Sequence, residues 1–195
     1  MHANPNSDNS RREPARDRIL NAAAELFAKH GVNAVGVDSI IEHAGVAKMT
    51  LYNNFPSKDE LVAETLERVD NQWFAWLREA VDRYSKSPKD RPYAFFDALR
   101  EWFETPEFRG CPFLNTQAEL PDQNHPAREA CEDHAEHLKM FLDQSLRAAG
   151  VKSTPSLVED LLLITQGAVT LAAVTGSSDP ARRAKRLART LIERE

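Results

Sequence analysis

The chain has 195 residues, 42% hydrophobic and 28% charged, with a formal net charge of -5. That balance suits one globular unit of ordinary size, or two small ones sharing a core, and excludes a chain disordered throughout. It also excludes a protein that coats nucleic acid over its whole surface, so any such contact is local: residues 1–58 hold seven Lys/Arg and six Asp/Glu, a net of +1, and the remainder carries -6.

The opening stretch MHANPNSDNSRREPARD has no apolar core of the kind a signal peptide needs, and residues 1–14 are expected to form a flexible arm. A first helix is expected from Ala15 to His30, with Ile19, Ala23, Leu26 and Phe27 at helical spacing on one face and Gly31 ending it. A short second helix follows at Val37 to Ala44. Val37, Ile40, Ile41 and Ala44 face inward, and Gly36 serves as N-cap. Gly45 then turns the chain into a third helix, Ala47 to Asn54, which gives Leu51 and Phe55 to the core.

After Pro56, Ser57-Lys-Asp-Glu60 has the spacing of a capping box and opens a long fourth helix that runs to about Arg83. Further helices are expected at about 91–104, 111–120, 126–149, 156–175 and 180–193. Proline opens several of them and glycine closes them, and no alternating strand pattern is present. The expected fold is therefore all-α with about nine helices, divided at residue 60 into a small N-terminal domain (15–60) and a larger helical domain (61–195).

The third helix poses a question. It has about two turns, too few to be stable alone, and its outward side is Lys48, Met49, Thr50, Tyr52 and Asn53. Two short helices joined by a glycine turn, behind a longer packing helix, form the helix-turn-helix arrangement, whose second helix enters the DNA major groove. The outward side then belongs to DNA. Lys48 offers a cation to phosphate or a guanine edge, Met49 an apolar surface to a thymine methyl, and Thr50 a hydroxyl. Tyr52 and Asn53 reach flanking phosphates, and Lys58 does so from the first turn of the next helix. Gly36, Val37 and Asn54 complete the expected DNA-facing set.

These residues carry a resemblance. The run AAAELFAKHG, the turn IIEHAGVAK, then TLY and FPSKDEL, in that order, resemble the DNA-binding domain of the tetracycline-repressor (TetR) family of bacterial transcriptional regulators. The likeness covers about a quarter of the chain and puts the helix-turn-helix at 36–55. It implies phosphate contacts at Tyr52 and Lys58. Two departures stand out: the family often has Thr or Ser where Val35 and Gly36 stand, and Ser where Ala47 stands, so fewer backbone bonds to DNA are expected.

Beyond residue 72 the aromatics are concentrated. Of fifteen, twelve lie between Trp73 and Phe141. Apolar and aromatic side chains line most small-molecule pockets, so an effector pocket is expected from Phe96, Leu99, Trp102, Phe103, Phe113, Gln117 and Phe141, with core filling as the plainer reading of each. The resemblance implies an unidentified small-molecule effector that releases DNA. Leu157, Leu161, Ile164, Ala168 and Leu171, with Ala184, Leu187 and Leu191 of the last helix, are expected to form a homodimer interface. Two reading helices about 34–36 Å apart then recognise a palindromic operator on double-stranded DNA.

Other signals carry less. Cys111 and Cys131 form neither a CxxC nor a bridge framework, which suits a reducing, cytoplasmic setting. Cys131, His134 and His137 share a helix with Asp133 and Glu136, which reads as a solvated acidic face, so no metal or other cofactor is expected. RRAKRLAR at Arg182 to Arg189 reads as the solvated side of an amphipathic helix. Leu161 to Ser178 has no charge, but polar interruptions argue against a membrane span and for a helix buried on two sides. Nucleophile elbows, phosphate-binding glycine loops and acid pairs are missing, so no enzyme is expected. The competing reading is a metal- or thiol-responsive helical sensor or interaction protein with a vestigial DNA-reading face. Lys48, Thr50, Tyr52 and Lys58 discriminate between the two.

Overall fold

A computed structural model of the protein describes residues 13–120, 122–152 and 154–194. All but the last two residues of the expected arm lie outside them. Among the described residues there are nine α-helices and no strand: α1 (Ala15–His30), α2 (Val37–Ala44), α3 (Lys48–Asn54), α4 (Lys58–Tyr84), α5 (Arg91–Phe103), α6 (Pro112–Glu119), α7 (Ala127–Ala148), α8 (Pro155–Thr175) and α9 (Asp179–Ile192). A 3-10 turn at Pro88–Asp90 leads into α5.

The chain divides into two compact units, one comprising the residues through Val69 with Pro112–Cys131, the other Asp70–Cys111 with the residues from Glu132 onward. The first unit is thus larger than the expected 15–60 segment. It takes in the start of α4, all of α6 and the first turn of α7.

The first unit is built around α1. Ile19, Leu20, Ala22 and Ala23 meet Val35, Ile40, Ala44, Leu51, Phe55 and Leu61 in one apolar cluster, against which Leu26, Phe27, Val37, Ile41 and Val46 are half-buried. Full burial of a side chain such as Leu51 stabilises by about 1.5–3 kcal/mol, enough to hold a helix too short to persist alone. Around this cluster, Arg68 donates to Asp17 at 2.6 Å, and Arg16 is paired with Glu64, fastening α1 to the start of α4. The Ser57 hydroxyl accepts the Glu60 N–H at 3.1 Å, as the capping spacing predicted.

In the second unit α5, α8 and α9 pack together. On α9 the inward residues are Ala181, Ala184, Ala188 and Ile192. Three alanines in that row let α9 approach its neighbours closely. Lys185 pairs with Asp97 of α5 at 2.5 Å, and the Arg189 guanidinium lies 5.1 Å from the Tyr93 ring centroid. The phenylalanine and tryptophan rings of this unit form a connected set: Phe95 meets Phe96 and Phe141 at 5.1 and 5.9 Å, and Trp102 meets Trp73 and Phe108 at 5.5 and 5.0 Å.

α8 corrects two expectations. Leu157, Leu161 and Ala168, with Ala184 on α9, are buried inside this chain and present no face to a partner. Nor is α8 buried on two sides: Leu163, Leu171 and Val174 are 73%, 56% and 78% exposed. A helix apolar all round gives no periodicity that distinguishes inward from outward, so the predicted seam lies on the inner side. Of the other expected interface residues, Leu171 and Leu187 are exposed and Ile164 and Leu191 half-buried. By length and composition alone, α8 is the one described helix long and apolar enough to cross a membrane.

Candidate DNA-reading surface

The turn between α2 and α3 is set by backbone chemistry. Gly45 sits at φ 62°, ψ 42°, a left-handed conformation that disfavours side chains with a Cβ. The Gly45 N–H donates to the Glu42 carbonyl and the Val46 N–H to that of Ile41, both at 3.2 Å, the paired bonds of a Schellman helix end. From α1, the Arg18 guanidinium donates to the carbonyls of Ala44 and Gly45 at 3.1 Å each. Sequence reasoning missed Arg18. It clamps the turn that aims α3, and a cation at a helix C-terminus also complements the helix dipole.

Held this way, α3 buries Leu51 and presents the opposite side to solvent. Met49 is 69% and Tyr52 41% exposed, Lys48 and Asn53 are exposed, and Thr50 is half-buried. Lys48 lies 3.4 Å from Asp38 with both side chains largely solvated, a weak pair readily exchanged for phosphate. Asn54 is half-buried and donates to the Thr50 carbonyl at 2.7 Å, so its amide is engaged within α3. Gly36 and Ala47 occupy the N-cap positions of α2 and α3, neither with a side-chain cap, and Val35 belongs to the core. Lys58 is half-buried and donates to the Val32 carbonyl at 2.7 Å, which fixes the α1–α2 connection and leaves two ammonium protons to direct elsewhere.

The α1–α2 connection is also held by α6. The Asn33 N–H donates to the Glu119 carboxylate and the Asn33 amide to the Glu119 carbonyl, each at 2.8 Å. Gly31, at φ 81°, leaves room for that carboxylate: a Cβ there would lie 2.6 Å from it. Of the expected pocket residues, Phe113 and Gln117 are on α6, in the first unit. Phe96, Leu99, Phe103 and Phe141 are buried in the second unit, where Trp102 is half-buried.

Cys131 and His134 of α7 differ from the solvated face expected of them, whereas His137 is exposed as expected. Asp133 and Glu136 are exposed, but His134 is buried. The buried Asp70 carboxylate is 2.6 Å from His134 Nδ1 and 2.7 Å from His137 Nδ1. Cys131 donates its thiol to the Phe113 carbonyl at 3.4 Å, and no group of three or more His, Cys, Asp or Glu among the described residues is arranged to hold a metal ion. Burial works against the Asp70 charge, and the hydrogen bonds from His134 and His137 outweigh it, so its carboxyl lies below the ordinary value. A lowered native value stabilises the fold at pH above the unfolded value of about 3.9, and this contribution is lost as pH falls through the native value. Asp70→Asn is therefore expected to lower stability at pH 7 by about 1–3 kcal/mol and to flatten the loss of stability below about pH 4. Urea unfolding of both proteins from pH 3 to 7 measures this, and parallel pH profiles would contradict it.

Residues 19–65 match the sequence profile described as "Bacterial regulatory proteins, tetR family", and residues 88–188 match "Tetracyclin repressor-like, C-terminal domain". The HTH-type transcriptional regulator LmrA of Bacillus subtilis is 26% identical over 176 residues, covering 85% of this chain and 90% of that protein. The HTH-type transcriptional repressor KstR2 of Mycobacterium tuberculosis is 36% identical over 89 residues, 46% of this chain and 44% of KstR2. Among solved structures, a TetR-family transcriptional regulator from Streptomyces coelicolor superposes with a TM-score of 0.79 at 26% identity, covering 92% of this chain and 94% of that one.

Proposed function

Because the chain belongs to the TetR family of helix-turn-helix transcriptional regulators, we propose that it acts as a homodimeric repressor, binding a palindromic operator through α3 and released by a small-molecule effector held among the helices of its second unit. The observation that carries the reading is the face of α3 itself: Lys48, Met49, Tyr52 and Asn53 are exposed on a helix whose other side is anchored by fully buried Leu51. Such a face is complementary to a major groove, with cation, hydroxyl and amide for phosphates and base edges, and one flexible apolar side chain for a thymine methyl.

The second copy is supported by α8 and α9. Leu163, Leu171, Val174 and Leu187 are exposed apolar residues, and α8 carries exposed Glu159 and Asp160 while α9 carries exposed Arg183 and Arg186. Covering the apolar stripe with its own two-fold mate leaves acidic and basic ends free to pair. An effector acts by binding better to one spacing of the two reading helices than to the other.

Two substitutions on α3 test the reading. Tyr52→Ala is expected to weaken binding to every duplex by about tenfold, because a phosphate contact carries no sequence information. Met49→Ala is expected to keep general affinity and change preference at one base pair by about 1 kcal/mol. Fluorescence anisotropy on an operator and its single-base variants separates the two patterns. Negligible effects of both would refute DNA reading by α3.

A further inference from the structure

The helix α3 carries a single charge. In its sequence KMTLYNN only Lys48 is ionised at neutral pH, and it stands in the first turn, where no acidic residue accompanies it and the N-cap Ala47 supplies no side-chain acceptor. A cation there opposes the helix dipole, so helix stability does not explain it. Its partner within the chain comes from α2.

Asp38, in the first turn of α2, places Oδ1 3.4 Å from the Lys48 ammonium. The carboxylate and the lysine side chain are 86% and 63% exposed, an arrangement worth little to the fold. The other cations around the α2–α3 turn are engaged with backbone: Arg18 donates to the carbonyls of Ala44 and Gly45, and Lys58 to that of Val32. Asp38 therefore cancels the one charge that α3 presents. A first-turn carboxylate also favours α2 itself, but that contribution to folding is the same with every duplex.

Building on DNA reading by α3, we propose that Asp38 is a specificity-determining residue, which holds the Lys48 ammonium back from phosphates and leaves it for a base edge. Binding to arbitrary sequence is driven by cations that displace counterions from phosphates. With Asp38 beside it, Lys48 would exchange one anion for another and net little affinity, while the phosphates repel the carboxylate. Both effects weaken every duplex alike. A guanine within reach changes the balance, because its O6 and N7 accept from the remaining ammonium protons while Asp38 keeps its own. The result is a low background affinity and a base preference carried by Lys48.

The full-length protein and its Asp38→Asn variant are each selected on one random-duplex library, and affinities for the recovered duplexes and for the unselected library are measured against salt. Asp38→Asn is expected to bind the unselected library about five- to tenfold more tightly, with a log–log salt slope steeper by about 0.9, the release of one further counterion. Its preference for guanine at one position of the recovered site should fall by about fivefold. Asp38→Glu keeps the charge and should restore both. In a Lys48→Ala background, Asp38→Asn should alter no base preference, which separates control of Lys48 from plain repulsion of the backbone. An equal gain on recovered and unselected duplexes, an unchanged background affinity, or a preference shift that persists without Lys48 would each overturn the assignment. If the unsubstituted protein recovers no duplex at all, DNA reading by α3 fails and this inference falls with it, so the two failures are told apart.

Discussion

Phe55→Ala is expected to melt the DNA-reading unit. The ring is fully buried in the cluster that joins α1, α2 and α3, and the Arg16 guanidinium lies over it at 5.3 Å. Removing it takes away the transfer free energy of a phenyl group and leaves a cavity that three short helices cannot close, a loss of about 3–5 kcal/mol. For a unit of this size that corresponds to a fall in the midpoint of thermal unfolding of more than about 10 °C. DNA binding should disappear with it, because α3 has only seven residues and no stability of its own once Leu51 and Phe55 lose their shared neighbours. Circular dichroism melts read this out directly. A shift below about 3 °C would mean that the cluster does not hold the reading helix.

The second large effect is expected on the exposed side of α8. Replacing Leu171 and Val174 together by Glu places two charges on the apolar stripe proposed to face a second copy. Both side chains are more than half exposed in the single chain, so the fold of each chain should survive. Two desolvated carboxylates without partners would not be tolerated in an interface. The double variant is expected to sediment as a monomer, with an unchanged far-ultraviolet spectrum. Operator affinity should fall by about 100-fold or more, since binding two half-sites on one duplex would lose its intramolecular advantage. Unchanged sedimentation would place the dimer contact elsewhere or show that there is none.

These expectations rest on features of unequal legibility in the sequence. The limits of α1 and α2 were readable because glycine marks their ends: Gly31 follows α1, and Gly36 and Gly45 bracket α2. The inward positions Leu51 and Phe55 were readable from helical spacing. What could not be read was long-range pairing. Asp70 and His134 are 64 positions apart, and nothing local to either predicts that they meet. The same holds for Asn33 and Glu119, 86 apart, which tie α6 into the first unit. Lys58 appeared in sequence as a phosphate ligand; the structure adds its bond to Val32, which is visible only once α4 packs beside the α1–α2 connection.

The seam of α8 failed for a different reason. An amphipathic helix such as α9 reveals its inner face by contrast, alanines in one row and arginines in the other. α8 offers no contrast, and in such a helix hydrophobicity records burial without recording against what. Leu157, Leu161 and Ala168 turn toward the chain's own core, while Leu163, Leu171 and Val174 turn away from it. The error concerns which side faces out; the presence of a second apolar side is what supports a partner.

The most direct test of DNA reading by a two-fold dimer is selection of the purified full-length protein on a library of random duplexes at two salt concentrations, followed by sequencing. The expected outcome is a palindrome whose half-site centres are one or more helical turns apart, about 10–10.5 base pairs per turn, with recovery that falls steeply as salt rises. Recovery of no sequence above background, or of an unpaired half-site indifferent to salt, would contradict it.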